Sequence, residues 1–158
     1  MPSDEHEAVL SRLRDVPDVE GFLQKVFPTV PLMGAYKPDF LVYLYNPVRK
    51  LAIIGEVETS NYTGKDLLGA CLLADHTAER SLCEERPSLV IVLPDEAKPG
   101  DLSHVEERLN IASTRVRTIR ILPAMKESVF IAWFMDYWVG VLQRGAACAN
   151  GFRTDDPF

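Results

Sequence analysis

The segment from Lys37 to Glu58 constrains this chain more than any other. Asp39 precedes an apolar run, Phe40 to Tyr45. The turn-like stretch Asn46-Pro47-Val48-Arg49 follows, and a second run, Leu51 to Gly55, ends in Glu56 and Glu58. Two short runs rich in β-branched and aromatic residues on either side of a turn predict a β-hairpin. A four-residue loop over Asn46–Arg49, a common hairpin length, sets Tyr45 opposite Lys50, Leu44 opposite Leu51 and Asp39 opposite Glu56. Directly opposed residues have Cβ atoms about 4.5–5.5 Å apart. Two carboxylates that close are unfavourable unless a cation lies between them or one is protonated. Residues i and i+2 of a strand share a face, so Asp39, Glu56 and Glu58 can converge on one side. Oxygen-rich sets of this kind suit Mg²⁺ or Mn²⁺, and the Val57 carbonyl is a further oxygen in reach. The same acids also fit a solvated sheet edge, where charged residues commonly follow an apolar strand.

The rest of the chain supplies a domain around that hairpin. Its 158 residues, 47% hydrophobic and 25% charged, are enough for one domain with a real core. Residues 1–144 are expected to form it, with 145–158 as a loose tail of small, polar and acidic residues. Val9, Leu10 and Leu13 predict a first helix to about Arg14. Phe22, Leu23, Val26 and Phe27 predict a second, capped by Asp18. After the hairpin a helix is expected from about Thr63 to Cys83, stopped by Pro87. Ser88 to Leu93 reads as a strand buried on both faces. A helix from Asp101 or Ser103 to about Ala112, a strand over Val116–Leu122 and a last helix over 125–144 follow. The order α-α-β-β-α-β-α-β-α implies an α/β (α+β) fold, a central mixed sheet of four or five strands flanked by helices. The 33–37 region is the candidate fifth strand.

Charge and cysteines bound the function. A net charge of −6 gives no support to broad nucleic-acid binding, although a local basic patch can coexist with an acidic remainder. The 3 cysteines, Cys71, Cys83 and Cys148, show no CxxC and no histidine at metal spacing. Free thiols in a reducing, cytoplasmic compartment are the expectation. The acidic start, Met1 to Glu7, is unlike a signal peptide. The longest apolar stretch, Val129 to Leu142, is too short to cross a bilayer and contains Asp136. His6, His76 and His104 are scattered, and none has a ligand-like neighbour in sequence.

Pro38-Asp39, a hairpin, Glu56-x-Glu58, a long helix and a further strand together resemble the PD-(D/E)xK nuclease superfamily, which includes restriction endonucleases and archaeal Holliday junction resolvases. The resemblance covers roughly Val9 to Leu93. It implies a restriction endonuclease-like fold and metal-dependent phosphodiester hydrolysis in DNA. Asp39 and Glu56 would bind Mg²⁺ or Mn²⁺. The third motif position, usually Lys, is Glu58 here, as in some restriction enzymes; it would join the metal ligands or hold the water. Lys65, early in the following helix, would supply the missing positive charge. An acid from an N-terminal helix often completes the site in this superfamily, and Glu20, with Glu7 behind it, matches that role. Non-catalytic binding or assembly members are known, so loss of cleavage is the alternative. A metal-dependent enzyme on a small phosphorylated substrate is a third.

The last helix carries Phe130, Trp133, Phe134, Met135, Tyr137 and Trp138 and is apolar nearly all round. A helix of that kind is buried entirely or shared between core and interface. A homodimer through 125–144 is the expectation, with an aromatic-lined groove for another partner as the alternative.

Overall fold

The structure, a computed structural model, describes residues 4–31, 37–45, 49–59, 62–80, 86–97, 102–115 and 118–139. The first helix, α1 (Asp4–Arg14), carries Asp4, Glu5 and Glu7 in its first turn and Arg12 and Arg14 in its last. That polarity complements the helix dipole, and Val9, Leu10 and Leu13 form its buried stripe.

The helix expected over Asp18–Phe27 is a strand. β1 (Leu23–Val26) runs antiparallel to β2 (Phe40–Tyr45), with Leu23 opposite Leu44 and Val26 opposite Leu41. Gly21 sits at φ 77°, a left-handed conformation that no helix interior accommodates. Asp18 does not cap a helix; its Oδ1 accepts from the Lys25 backbone N–H at 3.1 Å and from Lys25 Nζ at 2.7 Å. A short apolar run fits either period, and the exposed flank of β2 decided between them.

β2 pairs antiparallel with β3 (Arg49–Val57). Near the turn the pairs are Tyr45 with Arg49, Leu44 with Lys50 and Tyr43 with Leu51, one residue off the expected register. Ala52 then bulges, and Val42–Ile53, Leu41–Ile54 and Phe40–Gly55 follow. A bulge inserts one residue into one strand only, so beyond it the ladder returns to the expected register. Asn46 to Val48 lie outside the described residues.

A crossover through α2 (Gly64–Arg80) brings β4 (Ser88–Leu93) parallel to β3. Thr63 and Asp66 start α2 as a reciprocal cap: Asp66 Oδ2 accepts from the Thr63 N–H at 2.7 Å, and Thr63 Oγ1 accepts from the Asp66 N–H at 3.4 Å. Every residue of β4 is buried, as a strand covered on both faces requires. α3 (Ser103–Arg115) leads to the two-residue strands β5 (Arg120–Ile121) and β6 (Met125–Lys126), both parallel to β4. The strand expected over Val116–Leu122 is thus far shorter among the described residues. The order across the sheet is β1-β2-β3-β4-β5, with β6 also beside β4. The architecture is α+β, a mixed sheet flanked by helices. The proposed strand near 33–37, apart from Lys37, and the proposed tail lie outside the described residues.

Each sheet face has its own core. Val9, Leu10 and Leu13 of α1 pack with Phe40, Val42, Ile53 and Val57 on one face. Leu67, Ala70, Cys71 and Ala74 of α2 pack with Leu41, Ile54, Leu89 and Ile91 on the other. Cys71 is a free, buried thiol, raised to about 11 by burial and then by Asp75, and is therefore inert.

The last helix is α4 (Glu127–Trp133), continued by a π-helical segment, Phe134–Val139. Phe130 and Phe134 are buried in the α1-side core, and Ile131 and Trp133 pack partly against it. Val129 and Met135 are exposed. Glu127, itself buried, receives both Arg12 Nε and Arg12 Nη2, which ties α4 to α1. Residues 140–144 of the expected helix lie outside the described residues. Among the described residues no helix is long and apolar enough to cross a membrane.

Candidate functional site

Asp39 stands immediately before β2, and its position follows from the ladder. Continuing the Phe40–Gly55 register by one step places Asp39 opposite Glu56. Leu41 and Ile54 belong to the α2-side core, so strand alternation puts Glu56 on that same side, whereas Asp39 and Glu58 lie just beyond the ends of β2 and β3. Asp39 also reaches across the hairpin: its Oδ2 accepts the Val57 backbone N–H at 2.8 Å. The Glu58 N–H donates to the Val92 carbonyl at 3.0 Å, which anchors the end of β3 to β4. The three carboxylates therefore lie at the same end of β2 and β3, where Asp66 of α2 and Asp39 both act electrostatically on Glu58.

Electrostatics mark the cluster. Glu58 is raised from 4.5 to about 7, first by burial, then by the Asp66 and Asp39 carboxylates, with His6 pulling the other way. A group with a raised acid pKa binds its proton more tightly folded than unfolded. Its contribution to stability is therefore greatest below about 4.5 and is lost as pH rises through about 7. Glu58→Gln is expected to raise stability at pH 8 by on the order of 1 kcal/mol, after discounting for partial solvent screening, and to change it little at pH 4.5. Thermal melts of both proteins across that range check this; parallel curves would refute it.

His6 is the member that sequence reasoning missed. From the first turns of α1 its Nε2 lies 3.1 Å from Asp39 Oδ1, with each side chain 16% exposed. The signal was its spacing: His6 precedes Val9, Leu10 and Leu13 by three, four and seven residues, at the end of the buried stripe. Glu7, the reserve acid on that helix, lies 3.8 Å from His6 Nδ1.

Two proposed members stand apart. Glu20 is exposed in the turn before β1. Leu23 pairs with Leu44, so Glu20 lies toward the Tyr45 end of the sheet. Leu44 is five residue steps along the chain from Asp39, a span of roughly 16 Å at about 3.3 Å per residue. Lys65 is on the first turn of α2, exposed, on the side opposite the buried stripe of Leu67, Ala70, Cys71 and Ala74. The α2 residue that acts electrostatically on Glu58 is Asp66.

No three His, Cys, Asp or Glu side chains among the described residues form a ready-made metal cage. The donor chemistry nevertheless fits a hard divalent cation: Asp39 and Glu58 carry mutual repulsion that a cation would relieve, and Mg²⁺ commonly takes only one or two carboxylates and keeps its waters. Comparison with models of known families, with curated proteins and with solved structures gives no match for the chain.

Proposed function

We propose that the chain is a divalent-metal-dependent, nuclease-like protein that hydrolyses phosphodiester bonds in DNA, on a restriction endonuclease-like fold. One observation carries the reading: Asp39 holds the Val57 N–H between the two acids that end β3. The order α1-β1-β2-β3-α2-β4, with Pro38-Asp39 leading into β2 and Glu56-x-Glu58 closing β3, supports it. Asp39 and Glu56 would hold Mg²⁺ or Mn²⁺. Glu58, near neutrality in its proton affinity, is suited to hold a water or exchange a proton with it. When bound, such an ion supplies Lewis acidity toward a phosphodiester and lowers the pKa of a water. Lys65 has no part in this reading because of its outward position, and Glu20 none because of its distance.

A second reading has its own observation. Both Asp39 oxygens already meet protein partners, Val57 N–H and His6, and Glu replaces the motif Lys. A binding or assembly protein that keeps the fold without cleavage would look like this.

The test uses the full chain on supercoiled plasmid, single-stranded and branched DNA, with Mg²⁺ or Mn²⁺. Metal-dependent cleavage and a metal-dependent rise in melting temperature are expected. DNA binding without cleavage would establish the second reading. Neither cleavage nor a thermal shift would end the metal-enzyme reading.

A further inference from the structure

α2 leaves an apolar strip in solvent. Its buried stripe is Leu67, Ala70, Cys71, Ala74, Thr77 and Ala78. On the opposite side Leu72 is 64% exposed, flanked by Leu68 at 50% and Leu73 at 44%. Single exposed leucines are ordinary, whereas a contiguous group marks an interaction surface.

The sequence of that face specifies what covers it. The outward positions are Lys65, Leu68, Leu72, His76 and Glu79, spaced three, four, four and three. The pattern is symmetric about Leu72: Lys65 and Glu79 each lie seven residues away, Leu68 and His76 four. A two-fold interface is self-complementary, residue i meeting j and j meeting i. An antiparallel pairing of α2 with a second copy, with Leu72 on the axis, brings Lys65 to the partner's Glu79 twice over. A parallel pairing would set lysine beside lysine and glutamate beside glutamate.

Toward its far end α2 carries two acids alongside Arg80, the basic residue of its last turn. Asp75 and Glu79 are a like-charge pair one turn apart, unfavourable within a helix and worse toward its negative C-terminal end. Asp66, the acid near Lys65, is engaged in the Thr63 cap, which leaves Lys65 the charge best placed for the partner. On α4 and the π-helical segment after it, Phe130 and Phe134 face the core, and the exposed large hydrophobics among the described residues there are Val129 and Met135.

We propose that the outer face of α2 is a two-fold interface between copies of this chain, antiparallel and centred on Leu72, with Lys65 and Glu79 paired across it.

The test is the oligomeric state of the full chain by sedimentation equilibrium, with circular dichroism to verify folding. The parent is expected to be a dimer. Leu72→Glu, at an exposed position, is expected to stay folded and to weaken association by at least about 100-fold, because two central side chains are changed at once. Lys65→Glu and Glu79→Lys are each expected to weaken it roughly 10-fold, and the double reversal to restore it. A monomeric parent, a dimer indifferent to Leu72→Glu, or a double reversal no tighter than the single ones would overturn the proposal. So would dissociation by Val129→Glu with none by Leu72→Glu, which would move the interface to α4.

Discussion

Gly55→Ala is expected to destabilise the chain by about 1–3 kcal/mol, the usual range for overpacking a full core. An added Cβ at Gly55 would come closer than 3.0 Å to three carbons of the Phe40 ring. Such an overlap is harmless where the ring can swing aside, and Phe40 cannot. It is 1% exposed, with the Phe130 ring centroid at 5.8 Å and that of Phe27 at 6.2 Å. Elsewhere in a strand, replacing glycine with alanine would help by restricting the unfolded chain, so the sign of the change is informative. Denaturant unfolding of Gly55→Ala, Phe40→Leu and the double variant measures the coupling. The double variant should be more stable than the sum of the single losses implies, since the smaller side chain gives the methyl room. A stability within about 0.5 kcal/mol of the parent for Gly55→Ala, or strict additivity, would show that the ring does not fill the space above Gly55.

Local pattern predicts some elements of this fold well and others poorly, for physical reasons. α1, α2, α3 and β4 are long or uniform enough for one period to dominate. β1 is four residues of an ambiguous run, and only β2, far away in sequence, makes it a strand. The short β5 and β6 have no pattern of their own and exist because β4 offers them a partner. The hairpin shows a subtler effect. Counting from a four-residue loop misplaces every pair near the turn, and the Ala52 bulge, which alternation cannot reveal, compensates further along. Asp39 and Glu56 thus arrive opposite one another through a longer route than simple counting assumes.

The candidate site divides along the same line. Asp39, Glu56 and Glu58 share one hairpin, so strand geometry alone brings them to the same end of the sheet. His6 comes from another helix, and its approach to Asp39 depends on how α1 packs across the sheet. Glu20 and Lys65 were matched to roles that require a location, and location is tertiary. Glu20 lies toward the wrong end of a strand that local spacing makes a helix, and Lys65 faces away from the sheet.

Asp39 is the residue at which structural and catalytic roles can be separated. Its carboxylate does two things, accepting the Val57 N–H and supplying negative charge beside Glu58. Asp39→Asn keeps an acceptor for that N–H and removes the charge. Asp39→Ala removes both, and an orphaned backbone donor away from water costs about 1–3 kcal/mol. The alanine variant is therefore expected to melt clearly below the asparagine variant. In the metal-dependent reading both lose the thermal shift with Mg²⁺ or Mn²⁺. Both also lose cleavage by at least about 1,000-fold, equivalent to roughly 4 kcal/mol of transition-state stabilisation. Asp39→Asn also removes one of the charges that raise Glu58, so the pH at which stability declines should move down. A purely structural Asp39 predicts the opposite pattern: Asp39→Asn would behave like the parent toward metal and DNA, and only Asp39→Ala would suffer. Melting temperature against metal concentration at pH 8, measured on the three proteins, distinguishes the two, because a hydrogen bond to Val57 responds to the loss of an acceptor and a cation responds to the loss of a charge.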